Sequence, residues 1–275
     1  MDVIWGAMTR INPEPKDEIV RKAYMAFVIT WTEMGMPPPE EIDMELQAEL
    51  SPRTPGQALE MIVAYVHYRL KLGESFELVN TEQAFSVPLK PDDPTLFYVG
   101  KIDKIVRRRG KILGIEHKTT TAYKKHGPFR GEFADSFSPN SQVDGYLYAL
   151  HMMYPGEVGG VWVDAALVHK QEEGFMFIPV ERKLDQLDNW LYEVLWWVDL
   201  IEGEKAKLQQ TGSQDRYMQA FPKNTNSCWD FHRACPYMSC CKAWANPVGR
   251  DMPVGFKEEQ WSPLKHIPNL EKVLT

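Results

Sequence analysis

The sequence predicts an α/β fold with a mixed central sheet flanked by helices, and three observations carry that expectation. Apolar stripes at helical spacing precede, interrupt and follow a set of shorter β-rich segments, so the order runs helices, strands, helix, two strands, helix. The hydrophobic fraction is 44%, with aromatic residues at 12%, enough to build a sizeable core and to exclude a disordered chain. No internal repeat and no long low-complexity linker divides the chain. One compact unit is therefore expected, with N-terminal helices over 1–75, an α/β core over 76–212 and a cysteine-bearing tail over 213–275.

Each element has its own signal. Ile19, Ala23, Ala26, Phe27 and Trp31 form a helical stripe within Pro15–Met34, which Pro37, Pro38 and Pro39 then break. A second helix is expected from Thr54 as N-cap and Pro55 at the first helical position to Leu72, stopped by Gly73. Strands are expected over Phe76–Asn80, Gln83–Leu89, Leu96–Arg108 and Lys111–Thr119, the last two joined by a turn at Arg109-Gly110. A loop around Gly127, Pro128 and Gly131 follows, then a helix over Pro139–Tyr154. Gly160–Lys170 and Phe175–Arg182 read as a second hairpin, Leu184–Gln210 as a long amphipathic helix, and the remainder as an irregular tail.

The net charge is −7, which by itself argues weakly against nucleic acid as a partner, because phosphate contacts need local Lys and Arg. A protein that holds metal ions with carboxylates nevertheless carries extra acid. The opening residues lack a basic start and an apolar run, and no apolar stretch is long enough to span a bilayer, so a cytoplasmic protein is expected. All four cysteines lie between Cys228 and Cys241. A disulfide-stapled secreted protein would spread them through the chain, so the clustering points to a metal or cluster site.

The most informative segment is the hairpin Gly100-Lys101-Ile102-Asp103 to Ile115-Glu116-His117-Lys118. A two-residue turn at Arg109-Gly110 places Asp103 directly opposite Glu116 on one face of the sheet; a three-residue loop would make the pair diagonal. Directly opposed Cβ atoms lie about 4.5–5.5 Å apart, so two carboxylates there repel unless a cation lies between them. Lys118 and Lys101 project to the same face. The apolar neighbours Ile102, Leu113 and Ile115 make an acid facing an acid costly without a metal. That set suits phosphodiester hydrolysis. The carboxylates and a backbone carbonyl, assigned to Ile115, would hold Mg²⁺ or Mn²⁺, and Lys118 would position water or stabilise the developing charge.

Gly100-Lys-Ile-Asp103, Glu116-His-Lys118-Thr-Thr-Thr and Gln142-Val-Asp-Gly-Tyr146 together resemble the RecB-like, phage-type exonuclease branch of the PD-(D/E)XK nuclease superfamily. The resemblance covers about residues 76–182 and implies a restriction-endonuclease-like core and a DNA nuclease, with exonucleases of recombination, repair, phage DNA processing and CRISPR adaptation among its relatives. It implies Asp103 and Glu116 as metal ligands, Lys118 as catalytic lysine, and Gln142 and Tyr146 as a helix face that helps bind DNA. The four-residue spacing of the last two supports a shared helix face independently. Glu82 resembles an acid on the strand before the Asp strand, and His67, less closely, an upstream helical histidine, because Val63 stands where the pattern has Gly; the resemblance implies both as further residues of the metal site. Lys124, Lys125 and Arg130, with Tyr123 and Phe129 among them, could form a basic lip over DNA.

Several nucleases of this branch carry a four-cysteine 4Fe–4S cluster, and Cys228, Cys235, Cys240 and Cys241 resemble the C-terminal part of that pattern. No cysteine precedes Cys228, so three accounts stay open: a missing upstream ligand, four local thiolates on one centre, or zinc held by three cysteines and His232. The leading expectation is a Mg²⁺- or Mn²⁺-dependent deoxyribonuclease acting on DNA, with a helicase, annealing protein or other recombination factor as partner. The alternatives are a nuclease-fold DNA-binding or assembly module without useful activity, and a metal-free glycosidase, which would leave Lys118 unexplained.

Overall fold

Arg109 and Gly110 both adopt left-handed backbone, φ 50° and 78°, the geometry of the tight turn whose twist suits a two-residue hairpin. In the computed structural model, which describes residues 1–8, 14–93, 95–121, 129–169, 172–230 and 233–260, this turn joins two neighbouring strands of a five-stranded sheet. The strands are β1 (Glu77–Pro88), β2 (Phe97–Arg108), β3 (Lys111–Thr120), β4 (Val158–Val168) and β5 (Glu173–Val180), and they lie in chain order. All neighbours are antiparallel except β3 and β4, which run parallel. A parallel pair needs a crossover. Here it contains α5 (Gly131–Asp135) and α6 (Ser141–Met153), making the sheet mixed as expected.

Four helices precede the sheet: α1 (Asp2–Met8), α2 (Lys16–Glu33), α3 (Met44–Leu50) and α4 (Pro55–Leu72). The second and fourth match the expected helices. Thr54 caps α4 by accepting from Gln57 N, Pro55 opens it, and Gly73 ends it in the left-handed conformation. The expected pair of strands before Leu96 is one strand, β1. Its pairing with β2 shifts register between Leu78 and Asn80, and Glu82 takes φ 49°, so irregular alternation gave the appearance of a gap. Neither α1 nor α3 is long enough to show a stripe, yet α1 buries Ile4, Trp5 and Ala7.

The described residues divide into two units, residues 1–187 and residues 188–260. In the first, one sheet face and α6 share a core of Phe85, Ile105, Ile112, Tyr146, Leu150 and Val161. A second cluster gathers Trp5, Phe76, Val106, Leu113 and Ile115, and a third joins α1, α2 and α4 through Ile4, Ile19, Ala23 and Tyr65. The second unit holds most of α7 (Leu184–Thr211), the short hairpin β6 (Trp229–Asp230) and β7 (Arg233–Ala234), and α8 (Met238–Ala243). No helix among the described residues is long and apolar enough to cross a membrane.

Candidate active site

The β2–β3 register follows from the two-residue turn, running from Arg108 opposite Lys111 to Lys104 opposite Ile115. There the ladder stops. Continuing it would pair Asp103 with Glu116 and Ile102 with His117. Instead the Asp103 carboxylate accepts the His117 backbone N–H at 2.9 Å, taking the place of a main-chain partner. Ile102 and Ile105 both belong to the α6-side core, although three residues apart they would alternate to opposite faces of a regular strand. The break falls at Asp103, and the β1–β2 ladder passes over the same point between Thr81–Lys104 and Gln83–Ile102. Asp103 thus reaches Glu116 as an irregular residue and not as a regular cross-strand pair.

Glu116 is 4% exposed. Its Oε1 lies 2.6 Å from Lys118 Nζ, while Oε2 is buried with no hydrogen-bond partner. Burial pushes its carboxyl above the usual glutamate range; the Lys118 hydrogen bond opposes this, and the charge of Asp103 adds to it. Lys118 also donates to Gln142 Oε1 at 2.9 Å, and Gln142 Nε2 donates to the Tyr146 hydroxyl at 3.0 Å. Asn140 positions this end of α6 by capping it, its side chain accepting from Gln142 N and Val143 N. Burial, reinforced by the Glu116 charge, raises the Tyr146 phenol well above its ordinary value.

Gly100 has a physical reason. A Cβ there would lie 2.5 Å from Phe85 Cζ, and the Phe85 ring in turn meets Tyr146 edge-on at 6.2 Å. The close approach that glycine permits therefore seats the aromatic support under the Tyr146 end of the network.

Asp103, Glu116, Lys118, Gln142 and Tyr146 are brought together, with Ile115 in the adjacent ladder position. Glu82 falls beside Asp103 in the β1 register, but its carboxylate pairs with Lys101. His67 lies on α4 in a hollow lined also by Glu60 of the same helix and Glu173 of β5, with none of this set among the lining residues. Arg130 is exposed at the start of α5, with Phe129 stacked on Phe133 at 5.5 Å, whereas Lys124 and Lys125 lie outside the described residues. At the hairpin tip Arg107 pairs with Glu157 at 2.8 Å and Arg108 doubly with Glu74.

In the second unit Cys235 N donates to Cys228 O at 2.9 Å, and all four thiols are free. Among the described residues no group of three or more His, Cys, Asp or Glu converges as metal ligands. His232 lies outside the described residues.

The sequence reading missed Lys104, Asp164 and Tyr65, all buried on the far side of β3 around the His117 ring. A signal existed. Asp164 interrupts the apolar run of β4, and Lys104 sits between Ile102 and Ile105. A charge within a buried-type strand needs a partner.

No curated protein matches the chain by sequence. Among solved structures, one from Eubacterium rectale, designated a candidate exonuclease, is 13% identical, with TM-score 0.42 over 95% of this chain and 82% of the other. The crystal structure of SSO0001 is 12% identical, with TM-score 0.28 over 71% and 82%. Both are too distant to bear on function. The family model is different in kind: that of the PD-(D/E)XK nuclease superfamily matches residues 12–242, spanning the whole sheet and the acid–lysine site, and the chain belongs to that superfamily.

Proposed function

We propose that this nuclease is a divalent-metal-dependent deoxyribonuclease that acts from DNA ends, with Asp103 and Glu116 holding Mg²⁺ or Mn²⁺. The observation that carries the proposal is the buried, partnerless Glu116 Oε2 beside a second carboxylate. A buried acceptor of this kind costs about 1–3 kcal/mol unless something satisfies it, and a hard cation does so while cancelling the carboxylate repulsion. Two carboxylates, joined by a backbone carbonyl of β3 for which Ile115 is the candidate, are oxygen donors suited to Mg²⁺ or Mn²⁺. Nucleases of this superfamily generally use such metals.

When bound, the metal supplies Lewis-acid polarisation of the phosphate and a more acidic water. The chain's own groups do the rest. His117 N–H fixes one oxygen of Asp103, leaving the carboxylate little rotational freedom. Lys118, steadied by Glu116 and Gln142, presents an ammonium where charge develops on the phosphate. Gln142 and Tyr146 line the approach along one face of α6, and Arg130, exposed at the start of α5, supplies a cation for a phosphate backbone. The preference for ends follows the resemblance of the motif order to RecB-like exonucleases, as does a role in recombination, repair or phage DNA processing beside a helicase or annealing partner.

The test is digestion of end-labelled linear and circular DNA, single- and double-stranded, with Mg²⁺, Mn²⁺ or EDTA. Metal-dependent loss of linear DNA, abolished by Asp103→Ala and Lys118→Ala, is the expected result. Intact DNA that the protein still binds would make the chain a binding module instead. The cysteine segment is proposed as an iron–sulfur site on the resemblance alone; iron and sulfide analysis of anaerobically purified protein decides it.

A further inference from the structure

The two residues that follow Asp103 and Glu116 in sequence are tied to each other behind the site. Lys104 is 1% exposed, and its Nζ lies 2.7 Å from His117 Nε2 and 2.6 Å from Asp2 Oδ1. The other ring nitrogen of His117, Nδ1, lies 3.1 Å from Asp164 Oδ2 on β4, within ion-pair distance though out of line for a hydrogen bond, and His117 and Asp164 are direct strand partners. Asp164, also 1% exposed, accepts the Tyr65 hydroxyl; that hydroxyl in turn accepts from Trp5 Nε1 at 3.0 Å and Arg69 Nη1 at 3.2 Å. An ammonium and a carboxylate buried this deeply are expensive, and apolar residues of similar volume would often fill such a space with no loss of stability.

What the arrangement does is visible from the other side of the sheet. The β2–β3 ladder ends at Lys104 and Ile115, so no main-chain pairing fixes the separation of the strands at Asp103 and Glu116. The Lys104–His117 contact bridges the strands at that point, and Asp164 anchors the bridge to β4. His117 acts with both of its parts: its ring sits in the bridge and its backbone N–H orients Asp103. We propose that Lys104, His117 and Asp164 form a positioning clamp that sets the geometry of the Asp103 and Glu116 carboxylates from the opposite face. The inference rests on the reading of those carboxylates as the metal site. All three are positioning residues, since each acts through the backbone that carries the carboxylates.

The experiment is an electron-paramagnetic-resonance titration of the full chain with Mn²⁺ alone, with thermal unfolding in EDTA alongside to check that each variant is folded. His117→Leu removes the bridge, and its Mn²⁺ dissociation constant is expected to rise roughly 10–100-fold, as when groups supporting metal ligands are lost. His117→Gln, whose amide can accept from Lys104 and donate to Asp164, is expected to recover most of the loss, a rescue that mere filling of the space would not give. Asp164→Asn keeps the shape and provides the same reading should His117→Leu not fold. Wild-type affinity in folded His117→Leu or Asp164→Asn overturns the clamp while leaving the metal site standing. Wild-type protein showing no Asp103-dependent Mn²⁺ binding overturns the metal reading and the clamp with it.

Discussion

Replacing Glu116 by Gln separates what this side chain does for the fold from what it does for a metal. The substitution keeps the shape and removes the charge. It weakens the 2.6 Å contact with Lys118, a charge-assisted bond of about 1.5–3 kcal/mol. Against that, it relieves the burial of a charged oxygen with no partner and its repulsion by Asp103, about 1–3 kcal/mol. Lys118 retains Gln142, so the metal-free stability is expected to move by less than about 1 kcal/mol. The metal term has no such compensation. A ligand at a hundredfold excess over its dissociation constant stabilises the native state by about 2.7 kcal/mol. For a unit of this size that is roughly 5–10 °C in Tm. Differential scanning fluorimetry with EDTA or Mn²⁺ should show this rise for the unmodified protein and lose most of it in Glu116→Gln, with nearly equal melting of the two in EDTA. A Mn²⁺-induced rise of equal size in the variant would refute the assignment of Glu116 as a ligand.

Three further outcomes follow from the same geometry. Because burial raises the Glu116 carboxyl above its ordinary value of 4.5, the folded chain holds more protons there than the unfolded chain; metal-free stability falls as pH rises from that value through the raised one. Denaturation in EDTA across acidic pH should show this slope, and Glu116→Gln should flatten it; an unaltered slope assigns the effect elsewhere. Lys118→Met should slow single-turnover DNA cleavage by about 10²–10³-fold while Mn²⁺ binding, followed by calorimetry, is kept; parallel loss of both would make the lysine part of the metal site. Gly100→Ala places a methyl 2.5 Å from Phe85 Cζ and should cost about 1–3 kcal/mol in urea denaturation, because the ring that would have to give way also supports Tyr146.

The sequence by itself determined the parts of this protein that depend on local pattern. The Arg109-Gly110 turn chose the hairpin register, because left-handed backbone at both positions closes a two-residue loop with the twist the strands need. Thr54, Pro55 and Gly73 bounded α4, and four-residue spacing placed Gln142 and Tyr146 on one helix face. The acid–lysine motif was legible for the same reason: neighbouring strand residues carry it. Tertiary structure alone decided the rest. The end of the ladder at Lys104 and Ile115 puts Asp103 on the His117 amide instead of in a regular pair, and no periodicity announces such a break. His67 shares its surroundings with Glu60 and Glu173, since its place depends on how α4 packs and not on its neighbours in sequence. The bridge from Lys104 through His117 to Asp164 joins residues 104, 117 and 164 across three strands. Burying those charges is tolerable only where strand pairing and packing bring the partners together, and that arrangement exists only in the folded chain.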